Sequence, residues 1–185
     1  MTGVIRQLGA RMVVLGGVAD GESASAMVDD ALGSGRALAR LAEMIERQGG
    51  NPRVVDDYHL LPMAPSRAAW KAPRSGYVSS LRAHAIGMAS NVLGAGRARV
   101  GDTVDHAVGV VTLIEVGDRV QAGDDLLQLH HRNGRGLEEA QRFCAAAVQI
   151  SDSPPMRRAH VLDEVRALSA PGPASADALP RQAHQ

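Results

Sequence analysis

Apolar residues recur at helical spacing through the first quarter of the chain and then give way to short runs separated by glycines and prolines. Val4, Ile5, Leu8, Met12 and Leu15 lie on one helical stripe, and Gly16-Gly17 follows where a left-handed residue ends a helix. A second helical stretch runs from about Ser23 to Leu32 and is broken by Gly33-Ser34-Gly35. Leu38, Leu41, Met44 and Ile45 mark a third apolar face that stops at Gly49-Gly50. These stripes hold few large side chains, so the helices are expected to pack on a larger layer, as crossover helices pack on a sheet. No strand pattern precedes them.

Residues 51–65, "NPRVVDDYHLLPMAP", contain three prolines and no clear period, which predicts an extended linker. Beyond it, "RAAWKA" and "YVSSLR" flank Pro73-Arg74-Ser75-Gly76 and predict a hairpin-like pair of strands. Ala83 to Leu93 reads as a short helix ended by Gly94. "VGVVTLIEV" and "DLLQLHH" are strand-like runs separated by Gly117-Asp118 and Gly123-Asp124, and Leu137 to Val148 is again helical. From Ser169 the chain is Ala, Pro, Ser and polar residues without a periodic face, so 169–185 is expected to be a disordered tail.

With 185 residues, 45% of them hydrophobic, the chain can bury the core of one domain or two small ones. Its 20 basic residues balance 20 acidic ones, which argues against nucleic acid or an anionic membrane surface as partner. Cys144 is the single cysteine. That excludes an internal disulfide framework and a cysteine-based zinc site, and it suits a reducing compartment, so a cytoplasmic location is expected. The stretch "RMVVLGGV" from Arg11 has the look of a signal core, but it continues a helical stripe that begins before the arginine. No run approaches the roughly 18 apolar residues of a spanning helix.

Candidates for chemistry concentrate in "LGAGRARVGDTVDHAVGV", residues 93–110. Gly94-Ala95-Gly96-Arg97 has the small residues of an anion nest, with Arg97 and Arg99 to supply charge, but it matches neither a dinucleotide fingerprint nor a P-loop. Its expected role is a turn that ends a helix. Asp102, Asp105 and His106 are close enough in sequence to form an acid/base group, yet aspartates in this setting more commonly accept backbone hydrogen bonds in turns. His130 and His131 are adjacent on a strand, so their side chains point to opposite faces and do not readily share a metal. The histidines at 59, 84, 106, 160 and 184 have no ligand spacing. Cys144 lies on an apolar helix face beside Phe143, Ala145 and Ala146, as an inert buried thiol does, and Arg157-Arg158 is too short a run to imply a nucleic-acid surface.

Two resemblances go beyond these local patterns. "VGDRVQAGDDLLQL" with "APRSGYV" resembles the halves of a biotinyl or lipoyl carrier domain, which implies a barrel-sandwich fold. The one lysine, Lys71, falls in the first hairpin and not between the two strand runs, so a carrier function is not expected. More specifically, "LGARMVVLGG", "ALARLAEMIERQGGNPRVVDD", "KAPRSGYVSSLRAHAIGMASNVLGAGRARVGDTVDHAVGV" and "VGDRVQAGDDLLQLHH" together closely resemble the pyrimidine-nucleoside phosphorylases, thymidine phosphorylases above all, over residues 3–155.

That resemblance implies an α+β architecture. Residues 1–57 are the terminal helices of a truncated α/β domain of glycosyltransferase type, 58–65 a linker, 66–168 a β-rich, barrel-sandwich-hybrid-like C-terminal domain with short helices, and 169–185 the tail. It also implies phosphorolysis, in which phosphate attacks the anomeric carbon of a pyrimidine nucleoside and releases base and pentose 1-phosphate. The family's phosphate, base and monovalent-cation residues lie upstream of the resemblance, so no catalytic, cofactor or metal residue carries over. Phosphate and nucleoside are therefore expected as partners of an intact enzyme alone, whose missing half another chain could supply. By itself the chain is expected to be inactive; the alternative is a non-catalytic interaction module. Residues 93–110 look like a hallmark of the C-terminal domain, with glycines and aspartates that build architecture and with a role in closing the domain over a site.

Overall fold

The computed structural model describes residues 2–97, 99–156, 161–163 and 165; the expected tail at 169–185 lies outside them. Three helices come first, α1 (Thr2–Leu15), α2 (Gly21–Gly33) and α3 (Arg36–Arg47). The Asp20 carboxylate caps α2 by accepting the Ser23 N–H at 2.9 Å, and this bond lowers its pKa. Helices α1 and α2 approach closely at Gly9, where a Cβ would meet the Val28 side chain at 3.2 Å.

Only Ala10 and Ala24 are buried in this helical layer. Ile5, Leu8, Met12 and Leu15 on α1 and Leu38, Leu41 and Met44 on α3 remain 41–87% exposed. The apolar stripes legible in the sequence are thus present and exposed among the described residues.

The segment 51–65 is not extended throughout. It forms two short 3₁₀ turns, Pro52–Val55 and Tyr58–Leu60. Asn51 and Asp57 account for them: each side-chain oxygen accepts a backbone N–H two residues on, from Arg53 at 3.1 Å and His59 at 3.0 Å.

The remainder is built from β1 (Ser66–Lys71), β2 (Gly76–Leu81), α4 (Ala83–Ser90), β3 (Gly109–Thr112), β4 (Arg119–Val120), β5 (Asp125–His131), α5 (Leu137–Ala147) and β6 (Val148–Ser151). The strands form two three-stranded antiparallel sheets, in orders β1-β5-β3 and β4-β2-β6. The expected hairpin between β1 and β2 does not form. β1 pairs with β5, from Ser66 opposite His131 to Lys71 opposite Asp125, whereas β2 lies between β4 and β6.

Residues 72–76 carry the chain from one sheet to the other. Ala72 is hydrogen-bonded to the 121–124 turn, Ser75 Oγ accepts the Ala122 N–H, and Gly76 comes so close to β6 that a Cβ there would lie 2.5 Å from the Ser151 carbonyl oxygen. These long-range contacts outcompete a local turn.

The helix 83–93 is likewise modified. α4 ends at Ser90 and continues as a π-turn over Asn91–Ala95, while Val148, read as the end of α5, opens β6. One buried cluster joins the two sheets and both helices: Val78, Val120, Leu126, Leu127, Leu129 and Val148 from strands, with Ala89, Leu93, Ala140 and Cys144 from the helical side. The alanines allow α4 and α5 to pack tightly. The architecture is α+β, with small antiparallel sheets and, among the described residues, no closed barrel.

The burial pattern sets an expected contrast. Leu129→Ala removes a fully buried side chain and should cost about 2–5 kcal/mol in urea unfolding. Met12→Ser and Leu41→Ser should each cost less than about 0.5 kcal/mol and raise solubility. Equal losses would show that the α1–α3 stripes belong to the core.

Candidate functional site

The glycine-rich segment 94–109 follows α4 and leads into β3. The Gly94 carbonyl accepts the Asp105 N–H at 3.0 Å, which folds the segment back on itself. The Asp105 carboxylate accepts the Ala107 N–H at 3.1 Å and takes a bidentate pair from Arg132 just beyond β5, with Nε at 2.9 Å and Nη2 at 3.3 Å. Arg132 and then the Ala107 N–H hold the Asp105 carboxyl below the usual carboxylate range, and Asp105 in turn raises the Arg132 pKa. Asp105 is therefore a clasp between the segment and the sheet. It is committed to structure, not poised to take a proton.

Asp102 is equally structural, and it reveals a repeat. The Asp102 N–H donates to the Arg99 carbonyl at 3.2 Å while its carboxylate accepts the Arg99 N–H at 2.8 Å, around Gly101 at φ +97°. Asp118 closes on Glu115 in the same way, at 3.2 and 2.7 Å around Gly117 at φ +102°. Asp124 closes on Gln121 at 3.1 and 2.7 Å around Gly123 at φ +93°. Each is a turn with glycine at the one position that demands positive φ, and each is locked by an aspartate one residue later.

Two of the turns then grip one residue each, Val78 in β2 and Ala72 just past β1, with a pair of hydrogen bonds. Gly117 N–H donates to the Val78 carbonyl at 2.8 Å and the Val78 N–H donates to the Asp118 carbonyl at 2.9 Å. Gly123 N–H donates to the Ala72 carbonyl at 2.9 Å and the Ala72 N–H donates to the Asp124 carbonyl at 2.8 Å. The first clasp serves β2 in one sheet; the second serves the end of β1 in the other. The sequence signal for all three is Val-Gly-Asp at 100–102 and 116–118 and Ala-Gly-Asp at 122–124.

The other candidates are dispersed. His130 Nε2 lies 2.8 Å from Gln128 Oε1, and burial together with the charge of Arg67 lowers its pKa. His131 is buried, and its Nδ1 accepts the Gly134 N–H at 3.0 Å, so the two adjacent histidines serve different partners. Lys71 is held at the end of β1 by the Asp125 carboxylate at 2.5 Å and the Gly123 carbonyl at 3.2 Å. Cys144 is buried in the core, and burial pushes its thiol up to about 11.

Arg97 and Arg99 are exposed on the segment. Arg157, Arg158, His160 and His184 lie outside the described residues. Among the described residues no three His, Cys, Asp or Glu side chains gather as metal ligands, and no helix is long and apolar enough to cross a membrane. An open polar depression of about 430 Å³, lined by Ser75, Tyr77, Arg119, Gln121 and Asp152 among others, shares no residue with the glycine-rich segment.

The whole segment 94–109 and all three turns fall within residues 77–151, which match the family model of the Pyrimidine nucleoside phosphorylase C-terminal domain. The chain is also 37% identical, over 153 residues, to the Pyrimidine-nucleoside phosphorylases of Staphylococcus aureus strains USA300, NCTC 8325 and the bovine strain RF122. These alignments take in 82% of this chain and 35% of each relative, so the chain spans about a third of the length of the curated relatives it matches. The matched residues are more than 77–185 can supply. The likeness to phosphorylases therefore reaches back from the phosphorylase C-terminal domain into the helical segment.

Two outcomes test these assignments. The folded pKa of Asp105 lies below its unfolded value of about 3.9, so its contribution to stability is present above that pH and is lost as pH falls through the folded pKa. Asp105→Asn should accordingly flatten the acid limb of the urea midpoint between pH 6 and pH 3. An unchanged limb would contradict the clasp. Native Cys144 should resist iodoacetamide at pH 8 and react once unfolded in urea; rapid native labelling would contradict its burial.

Proposed function

We propose that this chain acts as the C-terminal part of a pyrimidine-nucleoside phosphorylase, a pentosyltransferase that converts pyrimidine nucleoside and phosphate to base and pentose 1-phosphate. The observation that carries this reading is the continuity of the phosphorylase likeness across both the C-terminal domain and the helices whose apolar faces find no partner among the described residues. In this reading residues 1–57 are the last helices of an α/β domain, 58–65 the connection, 66–168 a barrel-sandwich-hybrid domain and 169–185 a tail. The shared core of the two sheets and their paired turn clasps support the barrel-sandwich assignment. A lone buried cysteine suits a cytoplasmic enzyme.

Phosphorolysis requires several donors and charges converging on a transferring phosphate and an oxocarbenium-like centre, commonly in a cleft between domains. The groups seen here are spent otherwise: Asp105 on Arg132, Lys71 on Asp125, Asp102, Asp118 and Asp124 on their own turns. The chain's part is therefore to shape and cover a site whose reacting groups lie elsewhere in the enzyme, in the same polypeptide or supplied in trans. The same commitment of polar groups to structure favours a second reading, a non-catalytic interaction module.

An assay of phosphate-dependent thymine release from thymidine separates the two. The chain alone should show no turnover. A chimera in which it replaces the matched third of the S. aureus USA300 phosphorylase, or a mixture with the rest of that enzyme, should regain turnover. Activity of the purified chain alone would overturn the proposal; a folded chimera without activity would favour the interaction module.

A further inference from the structure

The chain contains three asparagines, and one of them is placed to lose its side-chain nitrogen. Asn51 precedes Pro52, whose nitrogen carries no hydrogen, and its side-chain oxygen already caps the Arg53 N–H. Asn91 precedes the β-branched Val92, which crowds any approach to its carboxamide. Asn133 precedes Gly134 in the exposed connection between β5 and α5. Its backbone is left-handed at φ +53°, and no hydrogen bond holds its carboxamide among the described residues.

The main-chain nitrogen of Gly134 is the nucleophile next to that carboxamide, and its attack closes a succinimide ring. A Cβ at 134 would meet nothing within 4 Å, so the approach is open, and glycine adds no side chain to block it. The hydrogen that this nitrogen must lose is already donated to His131 Nδ1 at 3.0 Å. His131 is buried at the end of β5, which fixes its ring, and an acceptor at this distance from the nucleophile has the geometry of a general base. Arg132 and Arg135 flank the pair with positive charge, which favours the oxyanion formed as the nitrogen adds.

We infer that Asn133 is a site of spontaneous deamidation, with the Gly134 nitrogen as nucleophile and His131 as base, and that its isoaspartate product loosens the clasp of Arg132 on Asp105. The bond from Gly134 N to Asn133 Cγ forms and the Cγ–Nδ2 bond breaks. The Gly134 proton passes through His131 to the leaving nitrogen, which departs as ammonia. Water then opens the ring, at Cγ to give aspartate or at the main-chain carbonyl to give isoaspartate, whose main chain is one carbon longer. The turn has no slack for that carbon. Arg132 is tied to Asp105 at one end, and the Arg135 N–H donates to the Arg132 carbonyl at 3.0 Å. At the other end Gly136 lies so close to Val92 that a Cβ would be 2.1 Å from the Val92 carbonyl oxygen.

The full chain, native or unfolded in urea, is held at 37 °C in neutral buffer for two weeks. Digestion with Glu-C in mild acid and mass spectrometry then read each asparagine. Native Asn133 should be converted at least about tenfold faster than Asn91, and faster than Asn133 in urea. His131→Gln should bring the native rate at Asn133 down to the urea rate. An Asn133 that stays intact, that reacts no faster native than unfolded, or that ignores His131→Gln overturns the inference. Should His131→Gln not fold, the comparison of native and unfolded wild type decides alone. The isoaspartate form, separated by chromatography, should unfold at a lower urea concentration than Asn133→Asp, which has the same charge and an ordinary main chain. Equal midpoints overturn the loosening of the clasp.

Discussion

The main chain at Gly117 and Gly123 leaves the extended region, and a carboxylate one residue later locks each reversal by accepting an N–H three residues back. Everything in the β-rich half depends on this device. It frees the glycine N–H and the aspartate carbonyl to face outward as a matched donor and acceptor, and each pair takes up the complementary groups of one residue, Val78 or Ala72. Because Val78 lies in one sheet and Ala72 beside the other, the two clasps place the sheets against a common core whose largest buried side chains are Leu93, Leu126, Leu127 and Leu129. Side chains of this size, with few aromatics, leave the register of the short strands to the turns.

Function follows from how polar groups are spent. The aspartates that look chemically suggestive in the glycine-rich segment are consumed by backbone donors and by Arg132, and the nearby thiol is buried and raised in pKa. Such a domain contributes rigidity and shape. The helical layer has the opposite character: its apolar stripes are well formed but stay exposed among the described residues, and under the proposed function they would pack on a further layer. A shaping domain joined to helices with exposed apolar stripes fits the proposed role as the C-terminal part of a phosphorylase.

The helices were legible in the sequence because a stripe at 5, 8, 12 and 15 or at 38, 41 and 44 is set by neighbours within one turn, and because Gly16-Gly17 and Gly49-Gly50 end it locally. The Gly-Asp turns were legible for the same reason. What escaped was non-local. Nothing within residues 66–81 shows that β1 prefers β5, since the pairing is decided by Asp124 and Gly123 gripping Ala72 fifty residues away in sequence. The clasp of Asp105 by Arg132 was hidden likewise, whereas the threefold recurrence of Gly-Asp after Val or Ala was a readable signal whose structural meaning only the strand contacts reveal. Short segments such as 51–65 were misread because two side-chain caps outweigh prolines.

The turn conformation at Gly123 carries the fold of the β-rich half, and paired glycine substitutions measure its contribution. A Cβ at Gly123 meets nothing within 4 Å, so Gly123→Ala reports only the cost of positive φ, whereas Gly87 sits in α4 with equally open space and an ordinary helical backbone. In urea unfolding Gly123→Ala should lose about 1 kcal/mol or more, and Gly87→Ala should gain up to about 1 kcal/mol. Equal midpoints for the two variants would contradict the account.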